Sequence, residues 1–430
     1  MELKIKKSNP LKGEINIPGD KSISHRSVIF TSLAEGRSLI RGFLESEDCL
    51  NTLRAFQMMG VNIEKIKPGE YIVNGVGLYG LKEPGDVIDC GNSGTGMRLL
   101  CGLLAPQPFY SVLTGDNSLR NRPMGRVVNP LRQMGASIWC RDGGYAPLSI
   151  KGEKLEGISY TLPVASAQVK SSLLLAGLYS QGDVFLTEPG PSRDHTERML
   201  KGFGVKVYKK GNSIKLPHSE DTKLTPQEVL IPGDISSAAF FIVASLITPG
   251  SEILLKNVGL NPTRCGIIDV VRQMGGNLEL LNVREVNGEK SADILVKYSE
   301  LEGVHIDGDI IPRLIDEIPV IAVLASQARG ETVIRDAAEL KVKETDRIKA
   351  TVTELGKSGV DIEELPDGMV IKGPCSIIGG VKLESYKDHR IAMSLAVAGL
   401  LAEEQITIKN SECINTSFPQ FNKLLQKLIQ

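Results

Sequence analysis

The chain is poor in aromatic residues and has almost no net charge. Aromatics make up 5% of it, with a single Trp, so stacking platforms for single-stranded nucleic acid are not expected. Its net charge is -1, which excludes the basic excess of a non-specific nucleic-acid binder. The seven cysteines (Cys49, Cys90, Cys101, Cys140, Cys265, Cys375, Cys413) are odd in number and scattered, without a CxxC pair. Neither a zinc site nor a disulfide framework is indicated. The opening MELKIKKSNPLKG lacks the apolar core of a signal peptide. No apolar run is long enough to span a bilayer, and a reducing cytoplasm is the expected compartment. There is no GxxxxGK[ST], and GNSGTGMR (91–98) lacks the GxGxxG order, so a nucleotide loop is not read here.

What is present is ordinary globular material, 41% apolar and 23% charged, in a chain of 430 residues that suggests two domains or more. An internal repeat organises it. Ile-Pro-Gly-Asp occurs at Ile17–Asp20 and again at Ile231–Asp234, almost half the chain apart, each time followed by a serine and an apolar run. A finer period of roughly 70 residues gives six copies of an apolar helix followed by a strand. A second pattern is a helix closed by glycine and then a strand. It recurs at Gly60, Gly135, Gly204 and Gly275, with Gly359 as a looser copy. Six α/β units in two similar domains of three follow from this. The expected domains are 19–233, and 1–18 with 234–430, with crossovers near Asp20 and Asp234.

The charged residues gather at helix beginnings. GDKSISHR, GNSGTGMR, ASAQVKSS, GDISSAAF, IDEIP and KDHR open one set of helices. ESED, DNSLRNRPMG, PSRDHTER, LNPTR, KETDR and NTSFPQF open the other. A helix N-terminus carries about half a positive charge and unpaired N–H groups, and an added Lys or Arg turns it into an anion site. If these beginnings converge, Lys21, Arg26, Arg98, Arg122, Lys343, Arg347 and Arg390 line one cleft suited to small polyanionic substrates. Plainer readings exist. Ser22, Ser24 and Thr345 fit helix caps, and Asp194 with Glu197 fits a capping box. Asp316 and Glu317 fit a helix N-terminus, and His195 and His389 fit ordinary hydrogen-bonded histidines.

On GDKSISHR, GNSGTGMR, LRNRPMG, SAQVKSS, IDEIP, KETDR and DHR, in that order and over nearly the whole length, the chain resembles the 5-enolpyruvylshikimate-3-phosphate (EPSP) synthases. RDHTE, SAQVK, NPTR and GDKS resemble that family's class II branch. The resemblance implies two inside-out α/β domains, each of three βαβαββ units. It implies transfer of the enolpyruvyl group of phosphoenolpyruvate to the 5-hydroxyl of shikimate 3-phosphate, with release of phosphate and no metal or cofactor.

By the same resemblance, Lys21 contacts both substrates. Ser22, Arg26, Ser166, Ala167, Gln168, Asp316 and Lys343 hold shikimate 3-phosphate. Gly94, Arg122, Gln168, Arg347 and Arg390 hold phosphoenolpyruvate. Asp316 is the base, and Glu344 or Lys21 the acid. Ala167 stands where many members have serine, and Thr416 where some have lysine. Glyphosate is a candidate inhibitor, with partial tolerance expected because Ala167 and Thr416 alter the polar set around it. A monomer with no nucleic-acid or membrane partner is expected. The rival within the fold is UDP-N-acetylglucosamine enolpyruvyl transferase, which usually has a loop cysteine before Arg-Pro; GDNSLRNRPMG has none. A non-enzymatic RNA- or phosphate-binding repeat protein would not need Asp316 and Glu344 beside the basic loops.

Overall fold

The computed structural model describes residues 1–429 and divides into two compact units, Gly19–Ile231, and Met1–Pro18 with Pro232–Gln430. Both divisions fall inside a copy of Ile-Pro-Gly-Asp. Pro232 and Gly233 go with the second unit because Gly233 N–H donates to Asn257 O at 2.6 Å, and Gly259 N–H donates to Gly233 O at 2.7 Å. Each unit encloses its own apolar core.

In Gly19–Ile231 the order helix, strand, helix, strand, strand occurs three times, the middle copy with an additional short helix, Asn117–Arg120. The first copy runs from the helix Lys21–Leu33 through Gly36–Arg41 and the helix Glu47–Met58 to the hairpin Asn62–Lys67 and Glu70–Gly75. The helices Gly94–Leu104 and Ala167–Gly177 open the other two. In the other unit, the helices Ile235–Ile247, Ile318–Ala325 and His389–Gly399 take the same place and pack on one another. All thirteen residues of Ile235–Ile247 are buried, because an apolar helix walled by sheets has no solvent face to keep polar.

Among the described residues the strands form five four-stranded sheets and one of three. Each sheet starts with a parallel pair, and antiparallel partners follow. The leading strand is not always local. Glu228–Leu230 lies parallel to Gly36–Arg41, and Lys12–Asn16 lies parallel to Glu252–Gly259. Glu2–Ile5 adds an antiparallel strand to Ile406–Lys409. Five helices end as their glycines predict. Gly60, Gly135, Gly204, Gly275 and Gly359 have φ between 80° and 98°, a left-handed turn that lacks the Cβ penalty in glycine. In the first, Val61 N–H reaches Phe56 O and Gly60 N–H reaches Gln57 O, both at 3.0 Å, so the last carbonyls are satisfied.

Candidate active site

In Gly19–Ile231, Asp20 caps the first helix by accepting from Ile23 N–H at 2.8 Å. Ser22 is therefore not a cap; it lies in the first turn with Lys21. Lys21 Nζ is ion-paired with the Asp48 carboxylate. Arg26 lies one turn further on and is buried. Its Nε donates to Thr196 Oγ1 at 2.6 Å, one Nη to Ser171 Oγ at 2.7 Å, and the other to the Ser22 carbonyl at 3.0 Å. The guanidinium thus braces the peptide of Ser22 from inside the unit. Ser24 is also no cap; its Oγ accepts from Leu44 N–H at 3.0 Å.

The segment GNSGTGMR opens the helix Gly94–Leu104, with Ser93 as cap accepting from Gly96 N–H at 2.9 Å. Its glycines have separate reasons. Gly91 is left-handed at φ 57°. A Cβ on Gly96 would stand 3.0 Å from Ser93 Oγ and 3.1 Å from Thr52 Oγ1, so this glycine serves internal packing rather than a ligand. A Cβ on Gly94 would meet Arg98 Nη1 at 2.9 Å and Arg122 Nη1 at 3.4 Å, which places Gly94 between two guanidinium groups.

Arg122 donates to Asn92 Oδ1 at 2.8 Å and to Ser118 Oγ at 3.1 Å. Arg98 donates to Gln168 Oε1, and Gln168 Nε2 donates to Thr95 Oγ1 at 2.8 Å. Ser166 caps the helix Ala167–Gly177 and accepts from Val169 N–H at 3.4 Å. Ala167 begins that helix, and its carbonyl accepts from Ser171 Oγ at 2.6 Å. Lys21, Ser22, Arg26, Gly94, Ser166, Ala167 and Gln168 therefore stand at helix beginnings or one turn inside them, whereas Arg122 lies in the loop that follows the short helix Asn117–Arg120.

The other unit holds Asp316, Lys343, Glu344, Arg347 and Arg390. Arg347 is 1% exposed and is enclosed by three carboxylates. It donates to Asp316 Oδ1 at 3.1 Å, Glu344 Oε2 at 2.6 Å and Asp388 Oδ2 at 2.8 Å. Burial, the largest influence, works against its charge; Asp388, Glu344 and Asp316 outweigh it, and its pKa is raised. Arg390 donates to the Asp316 carbonyl at 3.0 Å. It also lies 3.7 Å from both Asp316 Oδ2 and Glu317 Oε1. Lys343 has a lowered pKa: burial lowers it most, Asp316 pulls it up, and Arg347 pushes it down. Thr416 spends its hydroxyl locally, donating to Cys413 O at 2.8 Å.

Some plainer readings change as well. Asp346, not Thr345, caps the helix Arg347–Lys357 by accepting from Lys349 N–H at 3.1 Å. Asp194 and Glu197 make no capping box. Asp194 accepts from Arg198 Nε at 2.8 Å, and Glu197 is drawn inward to Lys170 Nζ, also at 2.8 Å. The buried Lys170 holds Glu188 as well, at 2.9 Å. Sequence reasoning passed over Asp48, Thr196, Ser171, Asn92 and Asp388 as partners of the site cations. Each lies within a helix beginning already singled out: ESED, RDHTE, SAQVKSS, GNSGTGMR and DHR.

The chain matches the family model of EPSP synthase (3-phosphoshikimate 1-carboxyvinyltransferase) over residues 5–425. A protein of that name from Brevibacillus brevis is 55% identical over 430 residues, covering 100% of both chains. Another, from Geotalea uraniireducens, is 56% identical over 427 residues, covering 99% of this chain and 98% of its own. The solved EPSP synthase from Acinetobacter baumannii superposes with a TM-score of 0.89 at 47% identity, over 99% of this chain and 98% of its own. The enolpyruvyl transferase NikO from Streptomyces tendae has a TM-score of 0.78 at 16% identity over 99% of this chain and 97% of its own, a likeness of fold alone. The fold is that of the enolpyruvyl transferases, and the UDP-N-acetylglucosamine alternative is not favoured. The chain belongs to the EPSP synthase family.

Proposed function

We propose that the chain transfers the enolpyruvyl group of phosphoenolpyruvate to the 5-hydroxyl of shikimate 3-phosphate and releases phosphate, with Asp316 as the base. The reading rests on family membership. One observation carries its chemistry: a single guanidinium, Arg347, holds both Asp316 and Glu344, at 3.1 and 2.6 Å. Addition to C2 of the donor needs a base at the attacking hydroxyl and an acid at C3. An arginine that grips both carboxylates holds them in place until an anionic substrate competes for its N–H groups. Glu344 can then act as acid only after its bond to Arg347 loosens and it has taken up a proton, whereas Lys21 brings its own proton. Lys21, Ser22, Arg26, Ser166, Ala167, Gln168, Asp316 and Lys343 serve shikimate 3-phosphate. Gly94, Arg122, Gln168, Arg347 and Arg390 serve phosphoenolpyruvate, with Lys21 common to both.

We also read the chain as a cytoplasmic monomer that glyphosate inhibits with partial tolerance. Among the described residues no helix is long and apolar enough to cross a membrane. Separate closed cores within one chain suit a monomer, which sedimentation tests. The deciding experiment is phosphate release from phosphoenolpyruvate with shikimate 3-phosphate or UDP-N-acetylglucosamine as acceptor. Release with the first and not the second is expected; the reverse would overturn the reading.

A further inference from the structure

His25 lies on the same helix as Lys21 and Arg26 and is fully buried. No chemical step needs it. Its Nδ1 is 2.7 Å from Thr52 Oγ1, and its Nε2 is 3.4 Å from Ser93 Oγ. Thr52 belongs to the helix Glu47–Met58, whose first turn carries Asp48, the ion partner of Lys21. Ser93 caps the helix that begins at Gly94 and carries Arg98. One imidazole therefore touches both the helix that steadies Lys21 and the cap of the helix that presents Gly94.

The surroundings are built closely around this link. The hydroxyls of Ser93 and Thr52 crowd residue 96 so tightly that a Cβ there would be 3.0 and 3.1 Å from them. Burial, and then Lys21 and Arg26, lower the pKa of His25 well below its ordinary value. The ring is neutral in consequence. In either neutral tautomer one nitrogen donates and the other accepts, so one hydroxyl must accept and the other donate. An imidazolium would need both hydroxyls as acceptors beside two existing cations.

We propose that His25 is a positioning residue that holds the Ser93–Gly94 segment in register with the helix bearing Lys21, Ser22 and Arg26. The contacts to phosphoenolpyruvate are then set through a buried link to the contacts for shikimate 3-phosphate, an inference that rests on the substrate reading given above. Ser93 is the lighter end of the link. It is held by a loop and by the longer of the two hydrogen bonds, so the donor side moves first when the link is cut.

The test is steady-state kinetics on the full chain carrying His25→Ala, His25→Asn or Thr52→Val, with the denaturation midpoint of each. His25→Ala is expected to raise KM for phosphoenolpyruvate about tenfold, the effect of one buried hydrogen-bonded link. KM for shikimate 3-phosphate should rise by less than about threefold. His25→Asn, whose amide both donates and accepts, should recover most of the donor affinity. Thr52→Val should raise KM for phosphoenolpyruvate in the same direction. Equal rises in both KM values, or no rise for phosphoenolpyruvate in folded His25→Ala, would overturn the proposal. If His25→Ala does not fold, wild-type kinetics in Thr52→Val would overturn it instead. A wild-type chain that releases no phosphate would remove the substrate reading itself, a result separable from these.

Discussion

Arg347 and Asp388 form a two-pronged ion pair with both side chains buried: Nε donates to one carboxylate oxygen at 2.8 Å and an Nη to the other at 3.3 Å. The same carboxylate caps the helix His389–Gly399 by accepting from Arg390 N–H at 2.8 Å. Removing Asp388 takes from the buried guanidinium its one fully buried counterion and from the helix its cap, and leaves only the partly exposed Asp316 and Glu344 to hold the charge. Asp388→Ala is therefore expected to lower the unfolding free energy by roughly 3–5 kcal/mol. Urea denaturation measures it. A loss below about 1 kcal/mol would mean that Asp316 and Glu344 hold Arg347 without help.

Asp316 presents its carboxylate to Arg347 and its carbonyl to Arg390. Asp316→Ala keeps the carbonyl and removes the carboxylate proposed as the base. Turnover is expected to fall by about 10²–10⁴-fold, while the dissociation constant of shikimate 3-phosphate changes little. Calorimetric binding with stopped-assay kinetics separates the two quantities. Turnover near that of the wild type would exclude Asp316 as the base.

The lowered pKa of His25, caused first by burial and then by Lys21 and Arg26, makes stability depend on pH in a known direction. The ring is neutral in the folded chain but protonates in the unfolded chain below about pH 6.5. Unfolding then takes up a proton, so its contribution is complete above about pH 6.5 and declines as pH falls towards the folded-state pKa. The slope is about 1.4 kcal/mol per pH unit within that window. Comparing wild type with His25→Asn at several pH values between neutral and mildly acid isolates the term. A stability difference that stays constant with pH would refute it.

Gly94 stands between two guanidinium groups, and an added methyl would reach Arg98 Nη1 at 2.9 Å and Arg122 Nη1 at 3.4 Å. Gly94→Ala is expected to weaken glyphosate, the longer molecule, more than phosphoenolpyruvate. The difference should be about 1–3 kcal/mol if the overlap behaves like an overpacked core. Because the nearer contact is the end of a flexible arginine, a value at the lower end is expected. The ratio of the glyphosate inhibition constant to KM for phosphoenolpyruvate, in wild type and variant, is the readout. Equal weakening of both ligands would show that the methyl does not discriminate.

Local chemistry was legible without coordinates. A glycine after an amphipathic helix, as at Gly60 or Gly359, reports a left-handed turn that only a few neighbouring residues have to agree on. The repeated Ile-Pro-Gly-Asp and the six apolar helices reported two like halves for the same reason, because periodicity is a property of short windows. Partnership was not legible. Nothing in GDKSISHR says that Asp20 caps the helix while Ser22 does not, or that Arg26 turns inward to Thr196 and Ser171. Nothing in RDHTE says that Glu197 leaves the helix end for Lys170. Lys12–Asn16 and Glu228–Leu230 likewise find parallel neighbours far along the chain. The sequence alone determined which segments open helices and which polar side chains they carry there. Only the tertiary structure decided which charge meets which, because an ion pair or a strand pair depends on distance in space between residues that chain order leaves far apart.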